Sequence, residues 1–271
     1  MRSLLLGLFY LSQTLLFVGC QSAVSPALAE PGTRELLEFS SQESVQRFLN
    51  SQAKVDFFSL ANQFEPQSNA FFCGPTTAAI VLNAFGPEKV GAPKDKSRFS
   101  KEEVKYVPEG FDPAVGRHTQ ETVVLKGKKP RADVFGKPVR VDGKEAQDFG
   151  YQLRQFEVLL NEHGLKTQLR IADTKIEDKV ILEEMIGNLS RPNDYVVVNY
   201  KRSEVGQKGG GHISPVGAYD AASNSFLILD VNPSKAAWVW MPAETLIRGM
   251  RTFDTIENRG YILISTGAIA P

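Results

Sequence analysis

Cys73 opens the run CGPTTAAIVLNAF at 73–85. Small residues come first, then Ala79, Ile80, Val81, Leu82 and Phe85, and Gly86-Pro87 follows. This pattern predicts a buried helix that starts at or beside Cys73. Pro75 falls in its first turn, where a missing N–H costs nothing. A thiol reacts as its thiolate, and the free N–H groups and dipole at a helix N-terminus favour that anion. Position alone fits a small core residue equally well, because free cysteine is commonly buried.

His212 tips the balance towards chemistry. It follows Gly209-Gly210-Gly211 and begins the apolar stretch HISPVGAY, while Asp230 closes the next one, SFLILDV at 225–231. The turn signal Ala222-Ser223-Asn224 joins the two as a hairpin. Counted from the middle of that turn, His212 lies about ten residues back and Asp230 about eight forward, so they share one sheet edge. A carboxylate there can hold one ring nitrogen and leave the other for a thiol. Taken singly, His212 fits a turn histidine and Asp230 an Asp capping a loop. Gln67, six residues before Cys73, can donate its side-chain amide to the oxyanion formed when a thiolate attacks a carbonyl, with the Cys73 N–H as second donor. Gln63 competes for that role, and either glutamine fits a plain surface residue.

These residues need elements to carry them. A short helical pattern covers Ser44 to Leu49. Tyr151 to His163 has Leu153, Phe156, Leu159 and Leu160 at helical spacing and ends at Gly164. His163 then sits at a helix C-terminus, favourable to the dipole. Lys175 to Leu189 reads as a second amphipathic helix. Tyr195–Tyr200, His212–Tyr219, Ser225–Val231 and Tyr261–Ser265 read as strands. Helices first and strands after make an α+β layout with an antiparallel sheet in the C-terminal half. Residues 87–149 are rich in Pro, Gly and Lys with little apolar periodicity, and read as a long irregular insertion rather than a second core. His118 lies within them and is assigned no role.

Composition narrows the classes. Among 271 residues, 31 basic and 31 acidic side chains cancel, and 42% are hydrophobic. That is ordinary for a soluble globular chain. No basic excess is present for counterion release from nucleic acid. Two cysteines and three scattered histidines lack the paired spacing of a structural zinc site.

The apolar run at 4–19 behind Arg2 fits a signal-peptide core. Residues 1–29 are expected to be the leader, cut after Ala27-Leu28-Ala29. In the alternative, Phe17-Val18-Gly19-Cys20 acts as a lipoprotein box and Cys20 becomes a lipid anchor, the one membrane attachment expected beyond a retained N-terminal segment. All of these put the body, 30–271, outside the cytoplasm, in a periplasmic or membrane-anchored place in a bacterial cell envelope. A lone Cys73 there is expected to be buried or used.

The order Gln, Cys at a helix start, His, Asp resembles the papain-like cysteine peptidase superfamily. More closely, the chain resembles the phytochelatin synthases of the short, single-domain bacterial kind. Tyr195 to Asp230, YVVVNYKRSEVGQKGGGHISPVGAYDAASNSFLILD, is similar to theirs almost throughout, as are Cys73-Gly74, Val81-Leu82-Asn83 and RGYILIS at 259–265. The likeness covers about 55–266 and is weak across 87–149. It implies a papain-like fold and acyl transfer on glutathione. Cys73 would release glycine and hold a γ-glutamylcysteinyl thioester. Water would then give γ-glutamylcysteine, or a second glutathione a phytochelatin. The resemblance makes Gln67 the oxyanion donor, His212 the base and later the acid, and Asp230 its orienter. Arg202 and Lys235 match substrate-facing residues, and Arg202 otherwise fits a solvated surface charge. Pro233 and Ala236 depart from the family's Arg and Tyr, which favours hydrolysis over transpeptidation. Gly74-Pro75-Thr76 departs too, towards bacterial peptidases of the same superfamily. No tightly bound cofactor is implied. A heavy metal such as cadmium would arrive on the substrate's thiolate, in keeping with a role in heavy-metal detoxification. A homodimer is left open. The competing readings are an exported peptidase acting on other peptides and a non-catalytic envelope binding protein.

Overall fold

The computed structural model describes residues 36–86, 90–94, 96 and 99–265. The expected leader, with both of its cleavage sites, lies outside them.

Nine strands are described: β1 (Leu37–Glu38), β2 (Phe135–Val141), β3 (Lys144–Phe149), β4 (Lys166–Ile171), β5 (Asp194–Lys201), β6 (Gly211–Asp220), β7 (Ser225–Ile228), β8 (Val239–Pro242) and β9 (Gly260–Ser265). The described helices are α1 (Gln42–Asn50), α2 (Phe57–Asn62), α3 (Cys73–Phe85), α4 (Lys101–Val104), α5 (Gln120–Lys126), α6 (Arg131–Val134), α7 (Leu153–Glu162), α8 (Asp178–Leu189) and α9 (Ala243–Met250). Seven strands form one sheet in the order β1-β8-β7-β6-β5-β9-β4, with every pair antiparallel.

The sheet is covered on both faces, which is why YVVVNY in β5 is apolar throughout instead of alternating. Val197 and Tyr195 face one apolar cluster with α3 and α7, while Val196, Val198 and Tyr200 face a second with α8 and α9. The first cluster holds α3 centrally. Ile80, Val81 and Leu82 are fully buried there, each contributing roughly 1.5–3 kcal/mol by leaving water. Gly74 permits that approach: a Cβ there would lie 3.3 Å from the Tyr151 ring.

Two expectations change. The sheet is mainly C-terminal, but β1 and β4 join it from earlier in the chain; β4 and β8 are short, and their patterns are hidden between charged or turn residues. The segment 87–149 is not irregular throughout. It contains α4, α5, α6 and the β2–β3 hairpin, and it places Val123, Val124 and Val134 in the main core. These hairpin strands are largely exposed and mix charged residues with Gly and Pro, so their alternation gives little apolar signal.

Candidate active site

Cys73 is the first residue of α3, as its spacing predicts. No side chain caps this helix and no acid occupies its first turn, so its N–H groups remain available to an anion. Thr77, one turn on, donates its Oγ1 hydrogen to the Ile213 carbonyl at 3.2 Å. That bond fixes the helix start against the beginning of β6, where His212 stands.

Cys73 and His212 are hydrogen-bonded to one another. His212 Nε2 lies 3.0 Å from Asp230 Oδ1 and 2.8 Å from Ser214 Oγ, which leaves Nδ1 for the sulfur. The hairpin register explains the reach to Asp230. Val216 pairs with Ile228, after a one-residue shift beside Gly217. Continued two residues on, that register sets Asp230 level with Ser214, and its carboxylate meets His212 diagonally.

Burial alone would push the Cys73 thiol up, but the hydrogen bond and charge of His212, with the backbone of Ile213 and Gly74, carry it below the ordinary thiol value. Burial likewise opposes the charged His212 ring, and Asp230 and Cys73 outweigh it, raising its pKa. The pair therefore favours thiolate and imidazolium, a nucleophile beside its acid. Alkylation of Cys73 is expected to persist below the pH range of an ordinary thiol. A His212→Ala chain should react at least about tenfold more slowly at pH 6. Equal rates across pH 5 to 9 would break the pairing.

Arg202 is placed differently from its expected role. Its side chain is 4% exposed, and it lies outside the residues that line the cleft. Nη2 donates to Asp230 Oδ1 at 2.8 Å, Nη1 lies 2.8 Å from Oδ2, and Nη1 also donates to Gln207 at 2.6 Å. It pairs a carboxylate, but that of Asp230. Tyr200 adds its hydroxyl to Asp230 Oδ2 at 3.4 Å, and the Asn232 N–H donates to Oδ1 at 2.8 Å. Gly209 accommodates the arginine: its φ is +128°, and a Cβ there would lie 3.1 Å from Arg202 Cδ.

Lys235 is exposed on the turn after Asp230 and lies outside the cleft lining. Gln67 stands in the loop before α3, also outside the cleft lining, where its Nε2 donates to the Asn69 carbonyl at 2.7 Å and its Oε1 is buried without a partner. Gln120 clamps this loop: Oε1 accepts from the Ser68 N–H at 2.8 Å and Nε2 donates to the Pro66 carbonyl at 2.9 Å. Gln63 ends α2, outside the cleft lining. His163 does follow the last turn of α7, but burial lowers its pKa, so the ring is neutral and the expected dipole attraction is absent.

The cleft beside Cys73 and His212 has a volume of about 320 Å³, within the range of small-molecule sites. The β2–β3 hairpin forms one wall through Gln147 and Phe149, and Phe149 stacks on Phe71 at 5.3 Å. Asn199, Asp254 and Arg259 line another part. Arg259 is 6% exposed and donates through Nη2 to Asp254 Oδ1 at 2.8 Å and through Nη1 to the Phe253 carbonyl at 2.6 Å. Its Nε, and Oδ1 of Asn199, are buried without hydrogen-bond partners. Burial raises the Asp254 pKa against the pull of Arg259.

Sequence reasoning missed these three, along with Tyr200 and Ser214. Ser214 was accessible by strand alternation from His212, and Tyr200 is the cross-strand partner of His212. Arg259 opens the RGYILIS stretch that carries part of the resemblance, but neither it nor Asp254 belongs to a pattern tying the loop before β9 to the cleft. A larger cavity of about 440 Å³ lies among Lys129, Asp148 and Glu162, away from the thiol, and Tyr151 borders both. Among the described residues no group of three or more His, Cys, Asp or Glu is placed to hold a metal ion.

A family model described as phytochelatin synthase matches residues 30–261. The chain is 27% identical over 243 residues to glutathione gamma-glutamylcysteinyltransferase 3 of Lotus japonicus, covering 87% of this chain and 43% of that protein. It is 25% identical over 221 residues to the glutathione gamma-glutamylcysteinyltransferase of Schizosaccharomyces pombe, covering 80% and 45%. It is 28% identical over 235 residues to glutathione gamma-glutamylcysteinyltransferase 1 of Arabidopsis thaliana, covering 84% and 41%. The chain thus spans less than half the length of these curated relatives. With 232 consecutive positions matched, the chain belongs to the phytochelatin synthase family.

Proposed function

We propose that the protein is a glutathione-directed thiol acyltransferase with a papain-like arrangement of its nucleophile helix and sheet. One observation carries the reading: the relay of half-buried Cys73 with buried His212 and Asp230 opens onto a cleft whose lining includes an unpaired donor, Arg259 Nε, and an unpaired acceptor, Asn199 Oδ1.

A free donor beside a free acceptor suits an α-amino acid zwitterion, and glutathione's γ-glutamyl end is one. Arg259 would take the α-carboxylate, and Asn199 with Asp254 the ammonium. The Cys73 thiolate then attacks the carbonyl joining cysteine to glycine. The oxyanion is met by the Cys73 N–H and by the second hydrogen of the Gln67 amide, held in its loop by Gln120. His212 passes its proton to the departing glycine nitrogen, leaving a γ-glutamylcysteinyl thioester. It next takes a proton from water, which yields γ-glutamylcysteine, or from the amine of a second glutathione, which yields a phytochelatin. Asp230 holds the ring through both halves.

Hydrolysis is the favoured branch. Pro233 and Ala236 stand where the resemblance expects an Arg and a Tyr, and Lys235 and Arg202 do not line the cleft. Any heavy metal enters as a complex of the substrate's thiolate. The site of action is the cell envelope, reached through the leader.

The test is incubation of the protein with glutathione. Stoichiometric free glycine and γ-glutamylcysteine are expected, with little oligomer when cadmium is added. General peptide cleavage without glycine release from glutathione would favour a peptidase. Arg259→Gln is expected to raise KM for glutathione roughly ten- to hundredfold, the worth of a charged hydrogen bond, with Cys73 alkylation unchanged. A KM within about threefold of the parent would remove Arg259 from recognition.

A further inference from the structure

The two histidines that the cleft does not use face each other elsewhere in the fold. Their ring centroids are 5.3 Å apart at an interplanar angle of 81°. His118 is 1% exposed and His163 3%. His163 Nε2 lies 3.2 Å from the Val123 carbonyl. That contact puts the proton on Nε2 and leaves Nδ1 as a bare lone pair. His163 Nδ1 is buried without a hydrogen-bond partner, and His118, whose ring meets the Val90 backbone through one nitrogen, keeps the other free. Buried polar atoms left unpaired require a reason, and a ligand is one such reason.

We propose that His118 and His163 form a two-imidazole site for a borderline divalent cation such as Zn²⁺ or Cu²⁺, with solvent completing the coordination sphere. Two imidazoles sharing a tetrahedral ion at about 2.1 Å place their ring centres roughly 5.3 Å apart, the spacing of this pair. A backbone carbonyl on the far nitrogen is the usual outer support of a ligating histidine, and Val123 supplies it. Both rings line a cavity of about 280 Å³ with Thr122, Gly91 and Pro93, which leaves room for water ligands.

The frame is rigid. Asn83 grips the His118 backbone twice at 2.8 Å, accepting from its N–H and donating to its carbonyl. His163 is fixed as the residue ending α7. Both rings are ready to ligate at neutral pH. Burial, then the neighbouring His163, lowers the His118 pKa to about 4. Burial also lowers that of His163, so no proton need be displaced. Lys126 opposes a cation at both rings, and Glu162 favours one at His163.

Two protein ligands set a modest affinity, with Kd on the order of 1–100 µM. The bound ion would join the 87–149 segment to α7. The site shares no residue with the cleft lining and does not depend on the activity proposed there.

The test uses the chain with Cys20→Ser and Cys73→Ser, which removes both thiols, in the absence of glutathione. Calorimetric titration with Zn²⁺ is expected to give one equivalent, and saturation should raise the unfolding midpoint by about 5 °C. His118→Gln and His163→Gln should each weaken binding at least about tenfold. No uptake, or uptake unchanged in both variants, would overturn the site and leave the cavity merely hydrated. To keep the test independent of how the variants fold, Cu²⁺ is also bound to the chain with both histidines present. Its paramagnetic resonance spectrum is expected to show splitting from two nitrogens; one or none rejects the proposal.

Discussion

Cys73→Ser is expected to reduce glycine release from glutathione by roughly 10⁴-fold or more, the scale on which a relay loses its nucleophile. The change is nearly isosteric at the first residue of α3, so the fold should persist. What is lost is the low pKa of the thiol, which His212 and the backbone of Ile213 and Gly74 maintain against burial. A hydroxyl in the same place remains un-ionised, and the imidazolium-forming geometry has no anion to serve. Glycine quantified by derivatisation and chromatography reads the loss, with thermal unfolding as the control for folding. Release within about tenfold of the parent would place the nucleophile elsewhere.

Arg202→Met should destabilise the fold by about 3–5 kcal/mol, because it leaves the Asp230 carboxylate buried with one cationic partner removed. The guanidinium and carboxylate are 4% and 0% exposed, so water does not replace what is lost. The pH sign follows from linkage. Burial pushes the Asp230 pKa up, and His212 and Arg202 together bring it below its usual 3.8. The stabilisation is therefore present above 3.8 and lost as the pH falls through the lowered value. Without Arg202 the Asp230 pKa climbs, and acid unfolding should begin at higher pH. Urea melts at pH 7 and pH 4 measure both effects. Asp230→Asn reverses the problem by stranding the arginine. It also deprives His212 of its anchor, at an expected cost of roughly 10³- to 10⁴-fold in glycine release. A double-mutant cycle over the two positions should show a coupling of at least about 1 kcal/mol; simple additivity would mean that they do not act as a pair.

The helix start at Cys73 and the nearness of His212 to Asp230 are legible because each rests on local rules, whereas the docking of that helix on the hairpin is long-range and enters the sequence reading only through the family resemblance. Small residues before an apolar run mark a helix start, and a hairpin turn fixes which strand ends meet. The bulge beside Gly217 shifts the register by one residue, and the diagonal reach from the level of Ser214 to His212 supplies the rest. What stayed hidden depends on side chains crossing between elements. Arg202 was visible as a charge beside a substrate-like motif, yet its partner is chosen by Gly209, whose left-handed backbone lets the guanidinium turn inward. Arg259 and Asp254 come together through a loop without periodicity. The β2–β3 hairpin reads as irregular in sequence because its strands are mostly exposed and charged, with Gly136 and Pro138 breaking the apolar alternation.

The Thr77–Ile213 bond joins positions 136 residues apart, and neither neighbour of the sulfur exists before that closure. Long-range pairings of this kind form late and slowly. Before that docking the chain therefore carries an ordinary, unactivated cysteine, and the thiol gains its histidine only when helix meets sheet. Completion of the fold thus acts as a safety catch on the thiol.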